Sequence, residues 1–391
     1  MVSSIGGGGS ACCGSPGRGG VSPRRRVCQG VSAKVRPCAT PLGFTGGVRT
    51  GQRFGSARLD GGGRIAYAVT GTGPGLLVVP GWLSHLELGW AIPAERSFHE
   101  ALSAGRTLVR YDRPGCGLSD DYSGPRTLEL ELSTIDAVLA DAGLGRVDVL
   151  GWSLGAAVAA QWAAERPDTV SRLVLYGGWA NGSDVGDEDS RRLLPELLAA
   201  HWGLGSDVLT ELFAPEADPG TRRALAAYQR AASSTATAVA LLQLAYAVDV
   251  RAALPRVQAP TLVLHRRGDR AAPVAQARVV AESVPGAELV ELEGRSHLPA
   301  MGDAEAVVAE VRRFLGLPQA RRAVATGLTA RQSEVAALVA QGLTNREVAH
   351  RLGITERSAE SHVERIRLRL GFRSRSQIAA WHVASSAREV R

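Results

Sequence analysis

Hydrophobic and polar positions change rhythm several times along this chain. The first 55 residues show no apolar period and are dominated by Gly, Ser, Pro and Arg. Such a segment cannot bury a core and is expected to be disordered. From residue 57 short apolar runs begin. RIAYAVT (64–70), GLLVVP (75–80), TLVRYD (107–112), RVDVLG (146–151), RLVLYGG (172–178), APTLVLH (259–265) and AELVELEG (287–294) predict strands. Helical spacing lies between them in LELELSTIDAVLADAG (128–143), SLGAAVAAQWAAERP (153–167) and DAEAVVAEVRRFLG (303–316). Apolar strands alternating with helices imply an α/β fold whose parallel sheet is covered on both faces. Between 179 and 255 the strand signals stop and only helical patterns remain. After LPQARRAVATG, which reads as a linker, come four short helices. Thr329 with Gln332, Thr344 with Glu347, and Ser374 with Gln377 have capping-box spacing, and Gly342, Gly353 and Gly371 punctuate the helix ends. The LGIT turn between the second and third helices, with Thr355 as a cap, gives helix-turn-helix spacing. The expected organisation is a basic segment over 1–55, an α/β domain over 56–316 with an insertion at about 179–255, a linker over 317–326, and an all-α domain over 327–391.

Charge sharpens this division. Residues 1–55 hold 8 Lys+Arg and no acid, residues 56–320 hold 24 against 32, and residues 321–391 hold 13 Arg against 6 Glu. An acidic centre followed by a basic end suggests two jobs, the second suited to a polyanion. With 44 Arg and one Lys, the composition is that of a GC-rich genome. The first 55 residues then read as upstream sequence translated from a misplaced start, against a transit peptide or a solvated tail. Four of five cysteines (Cys12, Cys13, Cys28, Cys38) lie there, leaving Cys116 alone in the globular part. A reducing compartment, the cytoplasm, is the expectation. No apolar run is long enough to span a membrane. No metal-ligand cluster, Walker loop or dinucleotide fingerprint is present, so neither metal nor cofactor is expected.

The chemistry centres on GWSLG (151–155). Chance nearly supplies one Gly-x-Ser-x-Gly in a chain this rich in Gly and Ser, so its setting must decide. Ser153 sits between a predicted strand and a predicted helix, where a sharp turn lifts a nucleophile from the sheet and the helix N-terminus favours developing negative charge. A hydroxyl needs a base, and the base an orienting acid. LVLHRRGDRAAP places Asp269 after one strand, and VELEGRSHLPA places His297 after the last. Ser153, Asp269 and His297 therefore follow in the order nucleophile, acid, base.

At this point residues 57–316 resemble the α/β-hydrolase family. The resemblance implies an oxyanion site made by the backbone amides of Trp82 and Leu154. VVPGW (78–82) carries Pro80 where the family has His, and YDRPGCGLSD (111–120) carries Pro114 before Gly115. It also implies that the 179–255 insertion is a lid. Trp82, Trp152 and Trp179 are candidate linings of a pocket for a small acyl or ester ligand. LTARQSEVAALVAQGLTNREVAHRLGITERSAESHVERIRLRLGFRSRSQIAAW (328–381) closely resembles the LuxR-type DNA-binding domain, the likeness running over about 326–388. That resemblance implies double-stranded DNA as partner, a recognition helix over 356–370, and a homodimer through the last helix, 375–385. Glu360, Ser361 and Glu364 are expected to face bases, where relatives often carry basic residues. Glu accepts from cytosine N4 but repels phosphate. Arg357 and Arg365 are the leading phosphate contacts, with Arg367, Arg369, Arg373 and Arg375 as further charge. The expected function is a transcription regulator with a Ser-His-Asp hydrolase domain as sensor. The alternatives are a receptor without turnover and a plain hydrolase whose C-terminal domain serves assembly.

Overall fold

The computed structural model describes residues 48–49, 51–318, 328, 330–370, 372 and 374–389. The expectations for residues 1–47, for most of the 317–326 linker, and for Thr329, Gly371 and Arg373 lie outside the described residues. Nine described strands form one sheet: β1 (Val48–Arg49), β2 (Gln52–Arg58), β3 (Arg64–Thr70), β4 (Gly75–Val79), β5 (Thr107–Tyr111), β6 (Val147–Trp152), β7 (Val170–Tyr176), β8 (Thr261–Arg266) and β9 (Glu288–Leu292). Their order is β1-β2-β3-β5-β4-β6-β7-β8-β9. Pairing is antiparallel from β1 through β3 to β5, and parallel from β5 to β9.

Period-two alternation builds both faces of the sheet. Leu77, Val79, Val149 and Val263 enter one core cluster. Leu76, Val78, Leu150, Leu262 and Leu264 enter the other. A strand buried on both faces must be apolar throughout, which is why GLLVV reads as one run. The insertion folds as four helices, Glu188–Ala200, Trp202–Phe213, Pro219–Ala232 and Thr235–Ala247.

The boundary at 56 is corrected. Gln52–Gly55 belongs to β2, which pairs with β3. Its signal is masked because an edge strand of Gln, Arg and Gly lacks an apolar period. The side chain of Gln52 is fully buried and accepts a hydrogen bond from Arg110, and a Cβ on Gly55 would run into the Tyr67 ring. Three further helices, Leu86–Ala91, Pro93–Ser103 and Val274–Ser283, lie where the sequence pattern gives no helix signal.

The C-terminal segment forms helices Ala330–Ala340, Asn345–Leu352, Glu356–Arg369 and Arg375–Glu389 around its own core of Val335, Val339, Val348, Ala359, Ile366 and Ile378. Thr344 and Glu347 close a reciprocal capping box, and Gly353 ends that helix in the left-handed region at φ 63°. Thr355 accepts the Ser358 amide at 3.2 Å. Ser374 and Gln377 bond reciprocally as their spacing suggested.

Candidate active site and nucleic-acid interface

Ser153 joins the end of β6 to helix Leu154–Glu165. It is the one non-glycine residue with positive φ among those described, at φ 57° and ψ −130°. A side chain held there is strained by about 1–3 kcal/mol, so the surroundings must enforce it. They do so through close approach. A Cβ on Gly155 would run into the carbonyls of Val79 and Pro80, and one on Gly151 into the Gly155 carbonyl and, at 2.7 Å, the Ala159 methyl. The Ser153 amide donates to Tyr176 O at 2.9 Å, tying the turn to the neighbouring strand.

His297 follows β9, and its Nδ1 lies 2.7 Å from Asp269 Oδ2. Asp269 follows β8, and its other oxygen accepts the amides of Ala271 and Ala272 at 2.9 and 3.2 Å. Burial alone would raise the Asp269 carboxyl. The charges of His297 and His265, the His297 hydrogen bond and the Ala272 amide outweigh it, and the group is held below the usual carboxylate range. His265, wholly buried, places Nε2 2.6 Å from Ala272 O and 3.5 Å from Asp269 Oδ2, the oxygen that faces His297. Ser153 and His297 line one cavity with Trp82, Trp152, Phe213 and Tyr228.

Other residues hold this arrangement, and sequence reasoning did not single them out. Arg113, fully buried and paired with Glu131, donates to Pro80 O and Gly81 O at 2.6 Å each. A trans peptide points its N–H opposite its carbonyl. Gripping Gly81 O therefore fixes the direction of the Trp82 N–H. Among the described residues, neither the Trp82 nor the Leu154 amide donates a hydrogen bond elsewhere. Asp112 accepts the amides of Leu86 and Leu118, and Ser84 Oγ accepts the Arg113 amide. The RPGCG stretch is thus a brace under the Pro80–Leu86 loop.

The insertion reaches His297 directly. Phe213 O accepts the His297 amide at 2.7 Å, and the two rings lie 5.5 Å apart. Glu216 accepts the amides of Arg295 and Ser296 and the Ser296 hydroxyl, at 2.9, 3.0 and 3.0 Å. Buried Arg266 donates to Ser296 O and Leu298 O at 2.9 and 3.1 Å.

Of the three tryptophans, the structure brings Trp82 and Trp152 to Ser153 but not Trp179. Trp179 lines a separate small cavity with Ala156, Ala160 and Val280. Its assignment to the substrate pocket is corrected. The chain leaves the end of β7 toward the serine, but the indole turns under the nucleophile helix, where small Ala residues leave room.

On helix Glu356–Arg369, Arg357, Glu360, Ser361, Glu364 and Arg365 are all exposed. Arg365 donates to Ser361 Oγ at 3.0 Å and Ser361 O at 3.1 Å. Arg367 pairs with Glu364 at 2.6 Å. Arg375 differs from its expected role as further charge toward phosphate. Its guanidinium braces Asn345 Oδ1 at 2.6 Å and Leu343 O, holding the last helix to the second. The Arg369 side chain and Arg373 lie outside the described residues.

Known proteins resemble both parts. The alpha/beta hydrolase family model matches residues 76–311, and the model for bacterial regulatory proteins of the luxR family matches 326–382. A pyrrolizixenacetamide deacetylase of Xenorhabdus hominickii is 29% identical over 262 residues, 64% of this chain and 94% of that protein. A pimeloyl-[acyl-carrier protein] methyl ester esterase of Nitrosomonas europaea is 30% identical over 256 residues, 62% of this chain and 96% of that one. Among solved structures, an esterase from Exiguobacterium antarcticum superposes with TM-score 0.60 at 21% identity, covering 67% of this chain and 98% of that one. It supports the fold alone. No helix among the described residues is long and apolar enough to cross a membrane.

Proposed function

This chain belongs to the alpha/beta hydrolase family and carries a luxR-family helix-turn-helix domain, and from that premise we propose that it is a DNA-binding regulator whose sensor hydrolyses a small acyl ester or amide. The observation that carries the catalytic half is Ser153 at φ 57°, in one cavity with a His297 that is hydrogen-bonded at 2.7 Å to Asp269. Ser153 Oγ attacks the ligand carbonyl while His297 Nε2 takes its proton. Asp269 accepts the Nδ1–H bond and stabilises the imidazolium. The amides of Trp82 and Leu154 receive the oxyanion. Collapse breaks the bond to the leaving group, which takes the proton from His297. Water, activated by the same imidazole, then releases the acid and restores Ser153. The two relatives named for acetamide and methyl ester cleavage support acyl transfer as the class.

For the regulatory half, the exposed helix Glu356–Arg369 is the reading surface for double-stranded DNA, with the last helix joining two copies. The contacts from Phe213 and Glu216 to the His297 segment supply a physical route from ligand to lid. Hydrolysis of p-nitrophenyl esters and operator selection from random duplexes, for wild type and Ser153→Ala, test both halves. Equal rates in the two proteins would remove the catalytic claim. Absence of salt-dependent duplex binding with and without ester would remove the regulatory one.

A further inference from the structure

Next to the Ser153 cavity lies a second, more polar chamber. The two share Leu83, Trp152, Leu225, Tyr228 and Leu298 as walls. The first is apolar apart from Ser153, His297, Thr210, Gln229 and the Tyr228 hydroxyl. The second is lined by His85, Glu95, His99, Arg110, Asp112 and Tyr228 as well as apolar groups. Arg110 and His99 are more than nine-tenths buried, and Asp112 is wholly so.

These groups are incompletely used by the protein. Arg110 donates to Gln52 and lies 4.9 Å over the Trp90 ring, but its Nε has no partner. Asp112 spends one oxygen on the Leu86 and Leu118 amides and leaves the other unbonded. The Tyr228 hydroxyl reaches Leu83 O only at 3.5 Å. An alkyl tail pushed into this chamber would strand a buried donor and a buried acceptor, each a cost of about 1–3 kcal/mol. A carboxylate would have to sit against the Asp112 and Glu95 carboxyls, which line the same chamber as Arg110. An ammonium would meet the guanidinium. What remains is a neutral group that both donates and accepts.

We propose that this chamber is a specificity subsite, and that the ligand cleaved at Ser153 carries a hydroxyl or amide on its acyl tail, bound between Arg110, Asp112 and Tyr228. The proposal rests on the hydrolase reading and narrows its substrate class.

The test compares p-nitrophenyl hexanoate, 6-hydroxyhexanoate and hydrogen adipate as substrates of the full chain, wild type, Arg110→Met and Tyr228→Phe. In the wild type kcat/KM for the hydroxy ester exceeds that for the alkyl ester by about tenfold or more, the discrimination expected when a buried polar site loses its partner. The carboxylate ester is not favoured over the hydroxy ester. The hydroxy-to-alkyl ratio falls toward one in Arg110→Met and severalfold in Tyr228→Phe. Tyr228→Phe, which removes one oxygen, carries the test if Arg110→Met does not fold. A wild-type ratio at or below one would overturn the subsite, as would a ratio unchanged in both variants. If no ester shows Ser153-dependent turnover, the hydrolase reading fails instead. The subsite then stands or falls on thermal shift of Ser153→Ala by methyl 6-hydroxyhexanoate against methyl hexanoate, with equal shifts overturning it.

Discussion

The two ends of this molecule hold charge in opposite ways. In the α/β domain Asp269, His297, Arg113, Glu131 and Arg266 are each less than a tenth exposed, and most are bonded to backbone. On helix Glu356–Arg369 Arg365 and Glu364 stand in solvent, and Arg365 and Arg367 bond to Ser361 and Glu364, three or four positions back along the same helix. Chemistry on a carbonyl requires groups placed before the ligand arrives, so the fold commits them and covers them. Under the proposed function, reading a duplex requires groups that exchange one partner for another, and the local pairs of this helix would yield to phosphate or base. Substitutions in the first region are therefore expected to act steeply. Those in the second act mildly and with salt.

The steepest expected effect is at the elbow. Ser153→Ala lowers ester turnover by about 10⁴-fold or more, measured as kcat at saturating ester. Ser153→Gly loses turnover equally but raises stability by about 1 kcal/mol in urea titration, because glycine adopts φ 57° without strain. A glycine variant no more stable than the alanine variant would show that the elbow stores no strain.

Next comes the brace. Glu131→Gln leaves the buried Arg113 charge without its counter-ion, an expected loss of about 3–5 kcal/mol in urea titration. Replacing both by Met restores most of that stability but not turnover, since nothing then grips Gly81 O and aims the Trp82 amide. If the double variant hydrolyses esters at the wild-type rate, Arg113 is only a structural ion.

A smaller effect depends on pH. Burial pushes the Glu95 carboxyl from its ordinary 4.5 up to about 7, with Arg110 opposing the rise. Between those values the folded chain keeps a proton that the unfolded chain has lost. Stability therefore falls as pH rises through this window, and the full cost is present above 7. Glu95→Gln removes about 3 kcal/mol of that cost at pH 8 and about 1 kcal/mol or less at pH 5, which lies just above the unfolded value. Thermal melts of both proteins at the two pH values check this, and an equal gain at both would refute it.

The comparison also explains what was legible beforehand. Ser153, Asp269 and His297 could be placed because each ends an apolar strand, and apolar strands are local signals. The four C-terminal helices were visible through caps a few residues apart. Glu216 and Arg266 were invisible because their partners lie 80 and 30 residues away and are backbone atoms, which no side-chain pattern reports. Trp179 was misplaced because its position in the chain is next to the site while its indole is not. Arg375 is expected as charge toward phosphate, because a surface helix rich in Arg gives no sign of which guanidinium finds a carbonyl.

The mildest expected effect lies on the reading helix. Glu364 sits at 2.6 Å from Arg367 and is held below the usual carboxylate range by that hydrogen bond. The pair neutralises one of the cations that would otherwise meet phosphate. Glu364→Gln keeps the shape and an acceptor but frees the Arg367 charge. Binding to a random duplex then tightens, and the slope of log K against log salt steepens by about 1, the contribution of one more phosphate contact. The melting curve stays where it was, because an exposed pair three residues apart adds little to the fold. If Glu364 instead accepts from a cytosine, the same variant loses preference at one position of the selected operator while its salt slope is unchanged. The two outcomes assign Glu364 either to tuning charge or to reading sequence.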